Sequence, residues 1–269
     1  MSFFNISTNN GKMSILPKNT YIFSPKLVTG LILWVDATDP LNTGIAPANN
    51  STITTWYDKS GLGNNATANA GITYNTTGLN NKPTLTFAGT QCLNGNIINT
   101  NTTMSVFGIC YMNNAGSTYQ RLIGFSSGSG VHDFNNNSFL AFFRNAGTTS
   151  ITPYRNAVSV ANSAPSYSTP YLYECWFDGT KEYATVQIGN TTTINNTSSS
   201  GNFAISYYTI ANNTNNSDGA YFNGFISEVV VYNTSLSTTD RQKVEGYLSW
   251  KWGLQGNLPS THPYYSVSP

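Results

Sequence analysis

Carboxylates and histidines are the residues with which this 269-residue chain would do acid–base or metal chemistry, and they are few. The glutamates are Glu174, Glu182, Glu228 and Glu245; the histidines are His132 and His262. Breaking a glycosidic bond takes two carboxyl groups across it, about 5–5.5 Å apart for retention and about 6.5–9.5 Å for inversion. Asp178 and Glu182 are the nearest such pair, but Phe177-Asp178-Gly179-Thr180 has the form of an Asp-Gly hairpin turn. His132-Asp133 runs into Asn135-Asn136-Asn137 and reads as a loop tip. His262, ahead of Pro263, reads as a packing or hydrogen-bonding residue. Two separated histidines do not make a zinc site, which takes three or four converging ligands. Cys92, Cys110 and Cys175 contain no Cys-x-x-Cys pair and read as buried thiols. The residues predict neither a catalytic set nor a metal set.

The richest oxygen cluster is Asn212-Asn213-Thr214-Asn215-Asn216-Ser217-Asp218-Gly219. Calcium would use such a loop, but one carboxylate without the Asp-x-Asp-x-Asp-Gly spacing predicts no bound ion, and no cofactor is expected. The cluster suits sugar hydroxyls better, since amides offer paired donors and acceptors and nearby tyrosines offer ring faces. The candidate carbohydrate-binding residues are therefore Tyr207, Tyr208, Asn215, Asn216, Asp218 and Tyr221, with strand-end packing as the plain alternative for the tyrosines. Trp34 and Trp176 lie inside apolar runs, whereas Trp250 and Trp252, two apart on one helix, point to different sides.

These residues hang on a β-rich chain. From Gly30 onward, short apolar runs such as Leu31 to Val35, Met104 to Met112, Tyr171 to Phe177 and Phe222 to Tyr232 alternate with Asn, Gly, Ser and Thr clusters. That is the rhythm of an antiparallel sandwich. In the last run Ile226, Glu228, Val230 and Tyr232 are expected on one face. Ser237 as N-cap, Asp240, then Val244, Tyr247, Leu248 and Trp252, with Gly253 as C-cap, predict one helix over 238–252. Residues 1–26 hold Pro17 and Pro25 without periodicity and read as an arm before a domain over 27–269.

Composition closes off other classes. A net charge of +1, with 9% charged residues and no basic run, gives no electrostatic footprint for nucleic acid or a membrane surface. No apolar run has the length of a membrane span, and Met1 to Asn10 lacks a signal-peptide pattern, so neither membrane insertion nor a secretory leader is expected. With 36 Asn among its residues the chain is short of helix formers, while 13% aromatics speak for a substantial core.

Gly30-Leu31-Ile32-Leu33-Trp34-Val35-Asp36-Ala37, Thr55-Trp56-Tyr57-Asp58-Lys59-Ser60-Gly61-Leu62-Gly63-Asn64-Asn65-Ala66-Thr67 and Gly246-Tyr247-Leu248-Ser249-Trp250-Lys251-Trp252-Gly253-Leu254, followed by Leu258-Pro259 and His262-Pro263-Tyr264, resemble one family. It is the laminin-G-like, concanavalin A-like lectin/glucanase domain found in bacterial extracellular proteins and in virion proteins of large DNA viruses. The resemblance covers about residues 25 to 265 and implies an all-β jelly-roll sandwich of two antiparallel sheets with one C-terminal α-helix. The Glu-x-Asp-x-x-Glu and Glu-x-Asp-x-Glu motifs of its glucanase branch are missing here.

The resulting expectation is no enzyme but a non-catalytic structural or interaction protein. It is read as a virion-surface or capsid-associated lectin-like domain made in the host cytoplasm, with an extracellular location as the alternative. Its partners would be other structural proteins, bound through the N-terminal arm or the C-terminal helix. Recognition of host or matrix glycans is the second reading, and glucanase-like hydrolysis the third.

Overall fold

The computed structural model describes residues 6–9, 12–15, 23–113, 119–135, 137–141, 143–145, 150–155, 158–159, 162–163, 166–188, 191–198, 202–216 and 219–269. The strands begin with β1 (Ile6–Asn9), β2 (Lys12–Ile15), β3 (Leu31–Asp36), β4 (Thr52–Trp56), β5 (Ala66–Leu79), β6 (Lys82–Ala88) and β7 (Leu93–Asn99). They continue with β8 (Met104–Met112), β9 (Tyr119–Arg121), β10 (Ile123–Ser126), β11 (Phe139–Leu140), β12 (Phe143–Asn145), β13 (Ser150–Ile151) and β14 (Tyr154–Arg155). The last are β15 (Val158–Ser159), β16 (Asn162–Ser163), β17 (Pro170–Phe177), β18 (Lys181–Ile188), β19 (Thr191–Ser198), β20 (Ile205–Ile210) and β21 (Asn223–Tyr232), followed by helix α1 (Thr238–Trp252).

The fold is the expected all-β sandwich, built as one antiparallel ladder that curls over on itself. The ladder runs β15-β14-β11-β10-β20-β7-β5-β6-β21-β8-β17-β18-β19, with β3 added on β21 and β4 on β5. A smaller sheet orders β16-β13-β12-β9. The 14-residue β5 carries the bend, pairing with β7 at Thr67–Ala68 and with β6 at Thr73–Asn75. The two halves close on one core: Tyr173 of β17 donates to the Ala141 carbonyl beyond β11, and Phe177 packs edge-on against Phe203 before β20 at 5.7 Å. Leu33, Val106, Phe107, Phe125, Tyr208 and Val231 all belong to this core. Burying so much aromatic and β-branched surface is the main stabilising term.

The hairpin turn at 177–180 forms as expected: the Asp178 amide donates to the Lys181 carbonyl, and Gly179 has φ +100°. In β21 a bulge between Ile226 and Glu228 shifts the register, so the alternation read from sequence holds for Glu228, Val230 and Tyr232 but not across Ile226. In the segment 1–26 read from sequence as an arm, β1 pairs antiparallel with β2, Ile6 opposite Ile15. Its end is already part of the domain, since Phe23 and Pro25 are buried.

Helix α1 matches its predicted span residue for residue. Ser237 Oγ accepts from the Asp240 amide, and Gly253 ends the helix at φ +71°. Val244, Leu248 and Trp252 are buried against the sheet. No helix among the described residues is long and apolar enough to cross a membrane.

Candidate functional site

The sheet face under α1 carries more charge than a core face should. Register places Glu228 of β21 beside Asp36 of β3, and Glu174 of β17 between Phe107 of β8 and Thr185 of β18. Buried charges persist only when paired or neutralised by a proton, and the two clusters solve this differently.

The first cluster is a staple. Glu228 is fully buried and accepts from Trp34 Nε1 at 2.7 Å, Trp252 Nε1 at 2.6 Å and Tyr247 Oη at 3.1 Å, with Lys251 Nζ at 2.8 Å. Lys251 also meets Asp36 at 2.8 Å, and Lys59 approaches Asp36 at 3.4 Å. Burial pushes Glu228 up against the pull of Lys251; at Asp36 it is outweighed by Lys251 and Lys59, which hold that carboxyl low. The residues of the family-like stretches around Trp34 and Trp252 thus hold the helix on the sheet. Asp58, in the middle stretch, does related work, accepting from the amides of Trp34, Ser60 and Asn64 and from the Ser60 hydroxyl.

The second cluster faces a pocket. Glu174 is fully buried, with Thr185 Oγ1 at 3.3 Å and Arg241 Nη1 at 3.4 Å, and Glu245 of α1 is its electrostatic neighbour. Burial first, then the Glu245 carboxylate, push Glu174 well above the usual carboxyl range despite Arg241. Glu245 Oε2 lies 2.9 Å from His262 Nε2, and His262 Nδ1 accepts from the Tyr264 amide at 3.1 Å. With Nδ1 accepting, Nε2 carries the imidazole proton and donates it to Glu245. Burial depresses the His262 pKa, which suits a neutral donor.

Sequence sets this geometry locally. Gly246 allows the tail to cross the helix, since a Cβ there would lie 2.7 Å from Tyr264 Cβ. Trp250 Nε1 then donates to the Tyr264 carbonyl at 2.8 Å, clamping the segment that carries His262. A pocket of about 250 Å³ opens between β18, α1 and this tail, lined by Thr185, Thr238, Arg241, Gln242, Glu245, Pro259, Thr261 and His262. Hydroxyls, one amide, a guanidinium, an imidazole and the Glu245 carboxyl line it, a surface for polyhydroxylated ligands and for proton donation.

The sugar candidates expected from sequence differ in exposure. Tyr208 is fully buried, its hydroxyl on the Asn64 carbonyl at 2.7 Å, whereas Tyr207 and Tyr221 are half-buried. Asn215 Nδ2 meets His132 Nε2 at 2.8 Å, and the exposed Asn216 accepts from Asn212 at 3.1 Å. Asp218 lies outside the described residues. Asp133 is no loop tip; it is fully buried with Arg121 Nε at 3.5 Å. All three cysteines are free and buried. Among the described residues no group of three or more His, Cys, Asp and Glu side chains is placed to hold a metal.

No protein-family model and no curated protein matches this chain. Solved structures do. A Trypanosoma rangeli sialidase in complex with a difluoro-KDN compound superposes with a TM-score of 0.53 at 14% identity, covering 83% of this chain and 33% of its own. The same sialidase with sialic acid gives 0.52 at 14% identity, over 83% and 33%. A GH54 α-L-arabinofuranosidase soaked with a cyclic sulfate inhibitor gives 0.54 at 14% identity, over 87% and 60%. The chain thus spans about a third of the sialidases' length, and at this identity the likeness is one of fold. It nonetheless corrects the expectation of a non-catalytic virion-surface or capsid-associated protein that is no enzyme, because the structures sharing this sandwich are glycoside hydrolases. That expectation weighed carboxylates by local spacing, whereas Glu174 and Glu245 belong to different elements and meet only when α1 packs on β17. The chain carries the antiparallel β-sandwich found in sialidases and an arabinofuranosidase.

Proposed function

We propose that this chain is a carbohydrate-active sandwich of the lectin/glucanase kind, with its glycan site in the pocket between β18, α1 and the 259–262 tail. The observation that carries the reading is a carboxyl pair on facing elements: Glu174, buried on β17 and pushed up in pKa by burial and by the neighbouring Glu245, and Glu245 itself on the wall of a polar pocket. In this reading the proton that Glu174 holds moves through Glu245 to the oxygen of a glycosidic bond as the C–O bond breaks, and Arg241 steadies the charge left on the pair. Water adds at the anomeric carbon and its proton returns to the pair. The fold of the sialidases and the arabinofuranosidase supports a carbohydrate ligand.

The test is a panel of 4-methylumbelliferyl glycosides alongside a glycan array, for the wild type and Glu245→Gln. Hydrolysis that falls about 10²-fold or more in the variant, with binding retained, is the expected result. Binding without turnover removes the acid role and leaves recognition. Silence in both assays overturns the proposal.

A further inference from the structure

Beside the pocket stands a preassembled stack that the acid–base reading leaves unused. Trp176 of β17 and Tyr183 of β18 are cross-strand partners whose rings lie parallel, 3° apart in plane, with centroids 4.7 Å apart. Arg241 covers the opposite side of Trp176, its guanidinium carbon 3.9 Å from the ring centroid. The order is therefore guanidinium, indole, phenol. Trp176 is enclosed, 7% exposed, while Tyr183 ends the stack and stays partly exposed. Tyr183 is held at a second point, its hydroxyl donating to Asp178 Oδ2 at 2.8 Å across the hairpin turn.

This stack shares a residue with the pocket. Arg241 lines the pocket, lies 3.4 Å from Glu174 and caps the indole. Thr185, also on the pocket wall, sits two residues beyond Tyr183 on the same face of β18. Two strand residues span about 7 Å, a step that the next ring of an oligosaccharide covers. A rigid aromatic ring presented at the rim of a polar pocket suits the apolar face of a sugar ring, because ordering it costs little on binding.

Resting on the reading above, we infer that Tyr183 forms a second sugar subsite, so that the ligand is a neutral oligosaccharide of at least two rings. One ring occupies the pocket and the next stacks on Tyr183. Neutrality follows from the wall: among the described residues the one Lys or Arg lining the pocket, Arg241, is engaged by Glu174 and Trp176, and the carboxyl that faces the ligand, Glu245, disfavours an acidic sugar.

Isothermal titration calorimetry of the full chain checks this with matched mono-, di- and trisaccharides of glucose, galactose, xylose and arabinose, and with sialyllactose as the acidic probe. Tyr183→Phe and Tyr183→Ala are titrated alongside, each first shown by circular dichroism to melt as a folded protein. The expected result is a Kd that falls about tenfold from mono- to disaccharide, the weight of one aromatic contact. Tyr183→Phe keeps that step, and in Tyr183→Ala the ratio collapses to about one. A wild type without the step, a Tyr183→Ala that retains it, or tighter binding of sialyllactose than of every neutral sugar overturns the inference while the pocket reading stands. If no sugar binds, the pocket reading itself fails and the second subsite goes with it.

Discussion

His262 gives its Nε2 proton to Glu245 at 2.9 Å while its Nδ1 receives the Tyr264 amide at 3.1 Å, so one imidazole joins the helix to the tail that crosses it. Burial lowers the His262 pKa, so the folded state resists protonation that the unfolded chain accepts below its ordinary value of 6.5. This stabilising contribution is complete above that value and is lost as the pH falls from it toward the lower folded value. Nitrogen-15 NMR of the imidazole should show the Nε2-protonated neutral ring persisting below pH 6.5; a ring already half-charged there contradicts the arrangement.

Gly246→Ala tests the crossing itself. The added methyl meets Tyr264 Cβ at 2.7 Å and Cγ at 2.8 Å, so the tail must lift and His262 leaves Glu245. Alanine's helix propensity returns about 1 kcal/mol, against a packing and hydrogen-bond loss of about 2–4 kcal/mol. Chemical denaturation should find the variant less stable. A gain in stability would mean that the tail is not seated against the helix.

Glu182 is buried inside the sandwich, where burial pushes its pKa up to about 8 against the pull of Arg155. A folded carboxyl that holds its proton above the unfolded value of 4.5 stabilises fully at acid pH, and that contribution is lost as the pH rises from 4.5 through about 8. Glu182→Gln mimics the protonated acid. Urea denaturation at pH 5 and pH 8 should show the wild type losing stability on the order of a few kcal/mol across this window, with the variant flatter.

Glu228→Gln removes the charge that four donors share. Glutamine keeps one acceptor oxygen and turns an amide against Trp34 or Trp252, leaving Lys251 with Asp36 alone. Breaking a buried pair of this kind costs about 3–5 kcal/mol. The midpoint of urea unfolding should fall accordingly, with tryptophan fluorescence reporting the release of both indoles.

Asp58→Ala strips the amides of Trp34, Ser60 and Asn64 of their shared acceptor. The Trp34 amide is buried, so the cost is about 2–4 kcal/mol, most of it from donors left unsatisfied. Asp58→Asn, which keeps one oxygen, should lose less; equal losses would show that the charge, rather than the acceptor geometry, holds the turn.

Helix α1 was fully legible because every signal for it is local: Ser237 and Gly253 as caps, and Val244, Leu248 and Trp252 on one face. The strands around Leu33, Phe107 and Trp176 were legible as apolar runs, but the bulge at Ile226–Glu228 was not, since nothing between those residues marks a change of phase. The site was the least legible part. Glu174 and Glu245 are unremarkable in local spacing, and only the packing of the helix on β17 brings them together. The sequence did hold a signal: each carboxylate occupies a position that its apolar surroundings mark as core, Glu174 within Tyr171 to Phe177 and Glu245 beside Val244. Tyr207 and Tyr208, neighbours on β20, point to opposite faces, and Tyr208 is the buried one.

Among the described strands β3 pairs with β21 alone, and one contact that fixes it there, Trp34 Nε1 on Glu228, joins residues 194 positions apart. During synthesis Trp34 therefore leaves the ribosome long before its acceptor exists, and an edge rich in apolar residues must wait unpaired while the intervening strands emerge. Closing so long a loop is slow. The nascent chain is accordingly most prone to aggregation before α1 is made, and a chaperone that shields Leu31 to Asp36 until then should raise the yield of folded protein more than one acting on the finished chain.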